Sequence, residues 1–224
     1  PFLLKFMKQE SRVERKFIVG TNNFEFFEKF LKVNSFKKSY EDREVSSIYF
    51  DTLNYDFLRA NIDGIGSRKK YRIRWYNDDL KSIFFEEKSK KNFLVSKKVK
   101  KIDFSFNKRS LNESLKDYYL TDKDKNFKNY NLQIVLKTNY KRSYWLSGDK
   151  KIRATIDTNL STSPYINFNQ IIKLPDTILE FKYLPKYENY FREFFKNFGS
   201  GLRVVKYSKY VKSFLELNNS GLVN

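Results

Sequence analysis

The sequence of 224 residues contains neither cysteine nor histidine. Without cysteine, the chain has no disulfide, no thiolate nucleophile and no cysteine-ligated zinc. Without histidine, it lacks the commonest general base and the commonest transition-metal ligand, which excludes Ser-His-Asp catalysis and His-Glu-x-x-His zinc sites. Any chemistry must therefore use carboxylates, Lys, Arg, Tyr, hydroxyl groups and a hard, oxygen-bound cation such as Mg²⁺ or Mn²⁺.

Long apolar segments are also missing. No stretch approaches the roughly 20 apolar residues that a membrane-spanning helix needs, and the apolar start of the chain, residues 1–6, is too short for a signal peptide. Met7 is the only methionine, so we interpret it as the natural start and residues 1–6 as an upstream remnant. We expect a single cytoplasmic domain over residues 7–217.

Positive charge is present in large excess. Lys and Arg number 45 against 26 Asp and Glu, which gives a formal net charge of +19. A field of this sign attracts polyanions, whether nucleic acid, anionic membrane or phosphate polymer. The charge indicates a class of partner and does not choose among its members.

Alternation of polar and apolar residues dominates the chain, which is typical of β-strands. We predict eight strands: Arg12–Val19, Val45–Thr52, Lys69–Tyr76, Ile83–Lys90, Phe93–Ile102, Ile134–Leu146, Lys151–Leu160 and Thr177–Tyr183. Helices are predicted at Phe24–Leu31, Tyr187–Phe198 and Val211–Leu217. The polar stretch 107–131 is predicted to be an external, helix-containing insertion.

Charged residues share one face of most predicted strands. Arg72 and Arg74 lie opposite Ile73, for example, because successive side chains of a strand point to opposite faces. For one strand, the ordinary interpretation is a solvated outer face. Across the strands, however, each charged face combines basic residues with carboxylates or hydroxyls, and a bound polyanion would supply the counter-charge that such a face needs if the sheet closed around it. The residues alone leave an open sheet and a closed tunnel about equally favoured.

Nine short motifs carry a resemblance to a known family. They occur in this order: Arg12-Val-Glu-Arg-Lys16, Ser47-Ile-Tyr-Phe-Asp51-Thr52, Tyr71-Arg-Ile-Arg-Trp-Tyr76, Glu86-Glu-Lys88, Ser96-Lys-Lys98, Tyr140-Lys-Arg142-Ser-Tyr144, Arg153-Ala-Thr-Ile-Asp157, Leu179-Glu-Phe-Lys-Tyr183 and Lys206-Tyr-Ser-Lys209-Tyr210. With them, nearly the whole chain resembles the catalytic polyphosphate-polymerase domain of the vacuolar transporter chaperone (VTC) family, in the triphosphate tunnel metalloenzyme superfamily.

The resemblance implies an α+β, β-rich fold: a closed antiparallel eight-stranded tunnel barrel with a few flanking helices. It implies a catalytic set of phosphate-binding cations, namely Lys16, Arg72, Arg74, Lys88, Arg142, Arg153 and Lys209. It implies further substrate-binding residues, namely Lys98, Tyr140, Lys206 and Ser208. Lys97 and Lys100 are alternatives to Lys98, and Glu180 matches the family's ligand for Mn²⁺ or Mg²⁺.

The resemblance further implies a polyphosphate polymerase whose partners are ATP and inorganic polyphosphate. The wider superfamily opens with Glu-x-Glu-x-Lys, and the presence of Arg12 at the first glutamate favours the polymerase branch over hydrolases and cyclases. The chain shows neither the family's regulatory sensor domain nor its membrane helices. Regulation, and any membrane-protein partner for product export, are therefore left open.

Two other functions compete with this interpretation. The first is an inorganic tri- or polyphosphatase of the same superfamily, in which water accepts the phosphoryl group. The second is a non-catalytic module that binds polyphosphate or nucleic acid. Nucleic acid is disfavoured, because most aromatic residues fall on the apolar faces. In addition, Glu14, Glu86 and Glu180 on the charged faces would repel phosphate unless they hold a metal.

Overall fold

The computed structural model describes residues 12–20, 24–91, 94–102, 131–196 and 202–223. Its strands are β1 Val13–Val19, β2 Phe36–Asp51, β3 Ser67–Tyr76, β4 Ile83–Lys91, β5 Leu94–Ile102, β6 Gln133–Ser147, β7 Ile152–Pro164, β8 Ile172–Lys173 and β9 Thr177–Tyr183. Its helices are α1 Phe24–Val33, α2 Asp56–Ile62, α3 Glu188–Lys196 and α4 Lys209–Asn219, with a 3₁₀ turn at Pro185–Tyr187.

All strand pairs are antiparallel, in the order β1-β9-β7-β6-β2-β3-β4-β5, with β8 paired to β7. The structure differs from the expected closed barrel in one respect, because the sheet formed by the described residues does not close. Within the described ranges, no ladder joins the edge strands β1 and β5, which meet only at an isolated bridge between Arg12 and Val95. The edge of β1 instead bonds to a non-strand segment, since the Val205 amide donates to the Lys16 carbonyl at 2.8 Å.

The predicted strands are confirmed, apart from their ends. The main difference is β2, which begins at Phe36 rather than Val45. Its first half is polar at almost every position and pairs with β6 through bulges, so no alternation marks it in the sequence. The helix α2 was not predicted; it begins where the Asp51 carboxylate accepts the backbone N–H groups of Phe57 and Leu58. The predicted insertion 107–131 lies outside the described residues, except for its last residue.

The apolar face of the sheet packs against the helices. Phe181 of β9 contacts Phe191 and Phe194 of α3, with ring centroids 5.4 and 5.7 Å apart, and Leu31 of α1 is fully buried in the same cluster. Burial of each large side chain contributes about 2 kcal/mol, so packing against the helices stabilises this face of the sheet and leaves the opposite, charged face for the cleft. None of the helices in the described ranges is long and apolar enough to cross a membrane.

Candidate functional site

The charged face of the sheet encloses a cleft of about 400 Å³. Basic residues from seven strands, the chain before β1 and the start of α4 line it: Arg12, Lys16, Lys70, Arg72, Arg74, Lys88, Lys97, Arg142, Arg153, Lys182 and Lys209. The carboxylates of the lining are Glu14 and Glu180. The lining therefore carries a large surplus of positive charge.

The arginines of β3 are fixed by residues of the cleft wall. Arg72 Nε donates to Glu86 Oε2 at 2.6 Å and its Nη1 donates to the Tyr49 hydroxyl at 3.1 Å. Arg74 donates from Nε to Ser47 Oγ at 3.1 Å and from Nη2 to the Tyr140 hydroxyl at 2.9 Å. A guanidinium has five N–H donors, so these bonds orient each group and leave donors for a ligand.

Glu86 lies behind this pair and is only 2% exposed. Burial alone would raise the pKa of its carboxyl, but Arg72, Arg74 and Lys97 together hold that pKa well below the usual range. Burial also disfavours the charged form of Lys97, and for a lysine this lowers the pKa. The pKa of Lys97 falls to about 8 despite its bond to Glu86. Glu86 is therefore an ionised anchor, whereas Lys97 loses its proton near pH 8.

A second anchored group lies across the cleft on β6 and β7. Arg142 donates to both carboxylate oxygens of Asp157, at 2.5 and 2.7 Å, and Lys209 Nζ donates to the same carboxylate. Asp157 is 1% exposed, so the fork of Arg142 is held rigidly from behind. Burial raises the pKa of the neighbouring Tyr140 hydroxyl, but Arg142, Arg74 and Lys209 outweigh it and lower that pKa overall. Tyr140 is thus a strengthened hydrogen-bond donor.

The lining carboxylates lie on β1 and β9. Glu180 is 3.2 Å from Lys182 and 3.7 Å from Lys16, and Glu14 is 2.8 Å from Lys88. Burial would raise the pKa of Glu180, yet Lys182, Lys16 and Lys88 hold it well below the usual value. Glu180 is therefore an anion at neutral pH.

The oxygen donors around Glu180 fit a hard cation that is shared with a ligand. Thr155 is paired in register with Glu180 and lines the cleft, and its buried hydroxyl has no hydrogen-bond partner among the described residues. Among the described residues, no group of three or more Asp or Glu could hold a metal ion by itself. Mg²⁺ usually takes one or two carboxylates and completes its shell with waters and substrate phosphates, which Glu180, Glu14 and Thr155 would allow.

Lys70 differs from the other cations of the cleft. Its ammonium donates to Ser208 Oγ at 2.8 Å, and Ser208 also caps α4 by accepting the Val211 amide at 3.3 Å. No ion pair within the described ranges joins Lys70 to a carboxylate. Burial, followed by the nearby charges of Lys16 and Lys88, lowers the pKa of Lys70 well below its usual value. This lysine is therefore a buried amine surrounded by cations, and its charged form is disfavoured in the absence of an anion.

Most residues that the resemblance implied are brought together. The cleft lining includes Lys16, Arg72, Arg74, Lys88, Tyr140, Arg142, Arg153, Glu180, Ser208 and Lys209. Lys98 is corrected: its side chain is 72% exposed and lies near Glu87, outside the lining, because alternation along β5 directs its neighbour Lys97 into the cleft. Lys206 is also corrected: it is exposed outside the lining, in a segment that forms no strand and so does not alternate.

Several lining or anchoring residues were not among the expected site residues, namely Lys70, Thr155, Asp157 and Lys182, and Lys97 was expected only as an alternative to Lys98. A signal for three of them exists in the sequence. Lys70 precedes Arg72 by two positions, Lys182 follows Glu180 by two, and Thr155 lies two beyond Arg153, so each shares a strand face with an expected residue. These strand faces therefore contribute more residues to the cleft lining than the motifs alone indicate.

Comparison with known proteins agrees with this geometry. The family model "VTC domain" matches residues 11–218 of the chain. Vacuolar transporter chaperone complex subunit 4 of Schizosaccharomyces pombe is 26% identical over 149 residues, which make up 54% of this chain and 21% of that relative. The match thus spans about a fifth of the relative's length.

Solved structures share the fold at low sequence identity. A putative adenylyl cyclase from Hippeastrum, described as having a dominant triphosphatase activity, superimposes with a TM-score of 0.61 and 12% identity, covering 96% of this chain and 98% of that one. A conserved hypothetical protein from Pyrococcus furiosus gives a TM-score of 0.53 and 14% identity, covering 91% and 99%. These similarities support a common architecture.

Proposed function

The chain belongs to the VTC domain family, and from that premise we propose that it is a polyphosphate polymerase. It transfers the γ-phosphate of ATP to the end of an inorganic polyphosphate chain that lies in the cleft. The observation that carries the proposal is the surplus of oriented Arg and Lys side chains around one cavity. Desolvated cations are costly without counter-charge, and a phosphate chain supplies one negative charge after another along its length.

The anchored arginines suit the transfer of a phosphoryl group. Such a transfer requires the attacking and leaving oxygens to be held in line and the charge on the equatorial oxygens to be neutralised. Arg72 and Arg74 on one wall, and Arg142 on another, present forks whose orientation is already set by Glu86, Tyr140 and Asp157. Their pre-orientation reduces the entropy lost when the phosphates bind.

The acceptor explains why the chain can work without histidine. The terminal phosphate of a growing chain is an anion at neutral pH, so no general base has to remove a proton from it. The cations of the cleft reduce the repulsion between this anion and ATP. A hydrolase would instead have to activate water, and both carboxylates of the cleft lining, Glu14 and Glu180, are held in ion pairs.

We place a divalent cation, Mg²⁺ or Mn²⁺, at Glu180, with Glu14 and Thr155 as further oxygen donors. When bound, such a cation would neutralise charge on the phosphate oxygens. Lys182 and Lys16, which now pair with Glu180, would then be released toward phosphate. We further propose that the domain acts in the cytoplasm, and a membrane-protein partner for export of the product stays an open question.

Product analysis tests the proposal. The protein is incubated with ATP and Mn²⁺, and we expect ADP together with a long polymer that a polyphosphate-specific phosphatase destroys. Glu180→Gln keeps the size of the side chain but removes the anionic oxygen, so polymer should no longer form. Glu193→Gln, at an exposed ion pair on α3, is the matched control and should be fully active. Free phosphate without polymer would instead identify a hydrolase.

A further inference from the structure

One part of the cleft rim is aromatic rather than cationic. Tyr40 of β2, Tyr76 of β3 and Tyr144 of β6 all line the cleft. The rings of Tyr40 and Tyr144 meet edge to face, with centroids 5.7 Å apart. Tyr40 is 61% exposed, so one ring of this tyrosine cluster is open to solvent at the mouth of the cleft.

Arg43 ties the cluster together. Its guanidinium carbon lies 5.5 Å from the ring centroid of Tyr40, 5.8 Å from that of Tyr76 and 5.9 Å from that of Tyr144. Cation–π contacts of this kind hold both the planar guanidinium and the rings in place. The cluster is therefore a preformed group of π faces and not a set of loose surface side chains.

A β-bulge creates this arrangement. Tyr40 is paired with Tyr144 and Arg43 with Arg142, so three steps along β2 match two steps along β6. Without the extra residue, Tyr40 and Arg43 would point to opposite faces of the strand. The bulge puts both on the cleft side, and bulges are found preferentially where a side chain is re-aimed at a functional site.

The chemistry of the cluster does not match a phosphate chain. Phosphate has no π face, and the rest of the cleft already provides the cations that it needs. Nucleobases, in contrast, stack on tyrosine rings and on guanidinium planes irrespective of their sequence identity. A nucleoside triphosphate carries both groups, and the strand register places Arg43 of the cluster directly opposite Arg142, one of the cations that line the cleft.

We propose that the tyrosine cluster, with Arg43, is the binding site for the nucleobase of the phosphoryl donor. This inference rests on the proposed function, since it assumes that the donor's phosphates enter the cleft. It assigns the end of the cleft at which the nucleotide enters, so the growing polymer must leave in the opposite direction. The exposed ring of Tyr40 is the first surface that the base meets.

A comparison of two ligands tests the inference without any need for turnover. Isothermal titration measures the affinities of ATP and of inorganic tripolyphosphate, which share the triphosphate but not the base. Tyr40→Ala should weaken ATP binding by roughly tenfold, the size of one stacking contact, and should leave tripolyphosphate binding within twofold. Tyr40→Phe keeps the ring and should bind ATP like the parent.

Tyr190→Ala is the matched control. Tyr190 is a half-exposed tyrosine that also contacts a cation, with Lys151 Nζ 4.5 Å from its ring centroid, but it lies outside the cleft lining. Tyr190→Ala should change the affinity for neither ATP nor tripolyphosphate. Equal weakening of both ligands by Tyr40→Ala, or no weakening of either, would overturn the nucleobase site while leaving the phosphate site intact. Failure of the parent protein to bind either ligand would overturn the proposed function itself.

Discussion

Two groups of cations in the same cleft are treated very differently by the fold. Arg142 and Lys209 share the buried carboxylate of Asp157, which holds their charges in place whether or not a ligand is bound. Among the described residues, Lys70 donates to the Ser208 hydroxyl and forms no ion pair, and its pKa falls because of burial and of the neighbouring charges of Lys16 and Lys88. The first group stabilises the ligand-free fold. Lys70 destabilises it, and a bound anion would remove that destabilisation. Arg142 and Lys209 therefore serve both ligand binding and stability, whereas Lys70 would serve ligand binding at the expense of stability.

The largest expected effect is on the anchored group. Asp157→Asn removes the counter-charge of both Arg142 and Lys209, and breaking a buried ion pair in this way costs about 3 kcal/mol or more. The urea midpoint of Asp157→Asn should lie clearly below that of the parent protein. The surface variant Glu193→Gln should have the same midpoint as the parent. A midpoint equal to the parent's would mean that Asp157 does not support the cleft.

The second expected effect concerns positioning. Arg72→Lys keeps the positive charge but loses the planar fork that Glu86 and Tyr49 hold. The turnover number should fall by roughly tenfold or more, whereas the affinity for tripolyphosphate should change much less, because positioning affects the transfer more than the attraction. Arg68→Lys, on the same strand but outside the cleft lining, is the control. If Arg72→Lys turns over at the parental rate, Arg72 contributes only its positive charge and does not position the phosphate.

Lys70 should show the opposite relation between stability and function. Lys70→Gln removes a buried amine whose protonated form is disfavoured by burial and by neighbouring cations, so the melting temperature of the ligand-free protein should rise. It also removes a charged hydrogen-bond donor, so tripolyphosphate should bind roughly tenfold more weakly. Lys69→Gln, whose side chain lies on the other face of β3 near Glu87, should do neither. A lower melting temperature in Lys70→Gln would contradict the contrast drawn above.

The last effect concerns pH and is similar in size to the loss of affinity expected for Lys70→Gln. Burial, partly opposed by Glu86, lowers the pKa of Lys97 to about 8, below its usual value of 10.5, so this lysine is charged at pH 7 and mostly neutral at pH 9. Phosphate binding at pH 9 must therefore restore its proton, which weakens binding by roughly tenfold. Lys97→Arg stays charged throughout and should lose that part of the decline in tripolyphosphate affinity. Identical pH profiles would show that Lys97 does not contact the phosphate.

How far the sequence predicts this molecule depends on how regular each strand is. The strict alternation of β3 and β9 predicts correctly that Arg72, Arg74 and Glu180 face one cavity. Where regularity fails, the prediction fails with it. The bulge between Tyr40 and Arg43 puts both side chains on the cleft side, and the sequence gives no sign of an extra residue there.

The run of lysines in β5 shows a second limit. Lys97 and Lys98 have equal local signals, and only the pairing of β5 with β4 determines that Lys97 meets Glu86 while Lys98 lies near Glu87. Lys206 fails for another reason, since the chain before α4 bonds to the edge of β1 without forming a strand. Register and edge contacts are tertiary properties, and a pattern of residue types does not contain them.

A crystal structure of the protein with tripolyphosphate and Mn²⁺ tests the central claim most directly. The account predicts a phosphate chain inside the cleft, within hydrogen-bond distance of Arg72, Arg74 and Arg142, with the cation at Glu180 and the ammonium of Lys70 on a phosphate oxygen. Phosphates bound instead to exposed lysines outside the cleft, such as Lys98 and Lys206, with the cleft residues still paired only to one another, would contradict it.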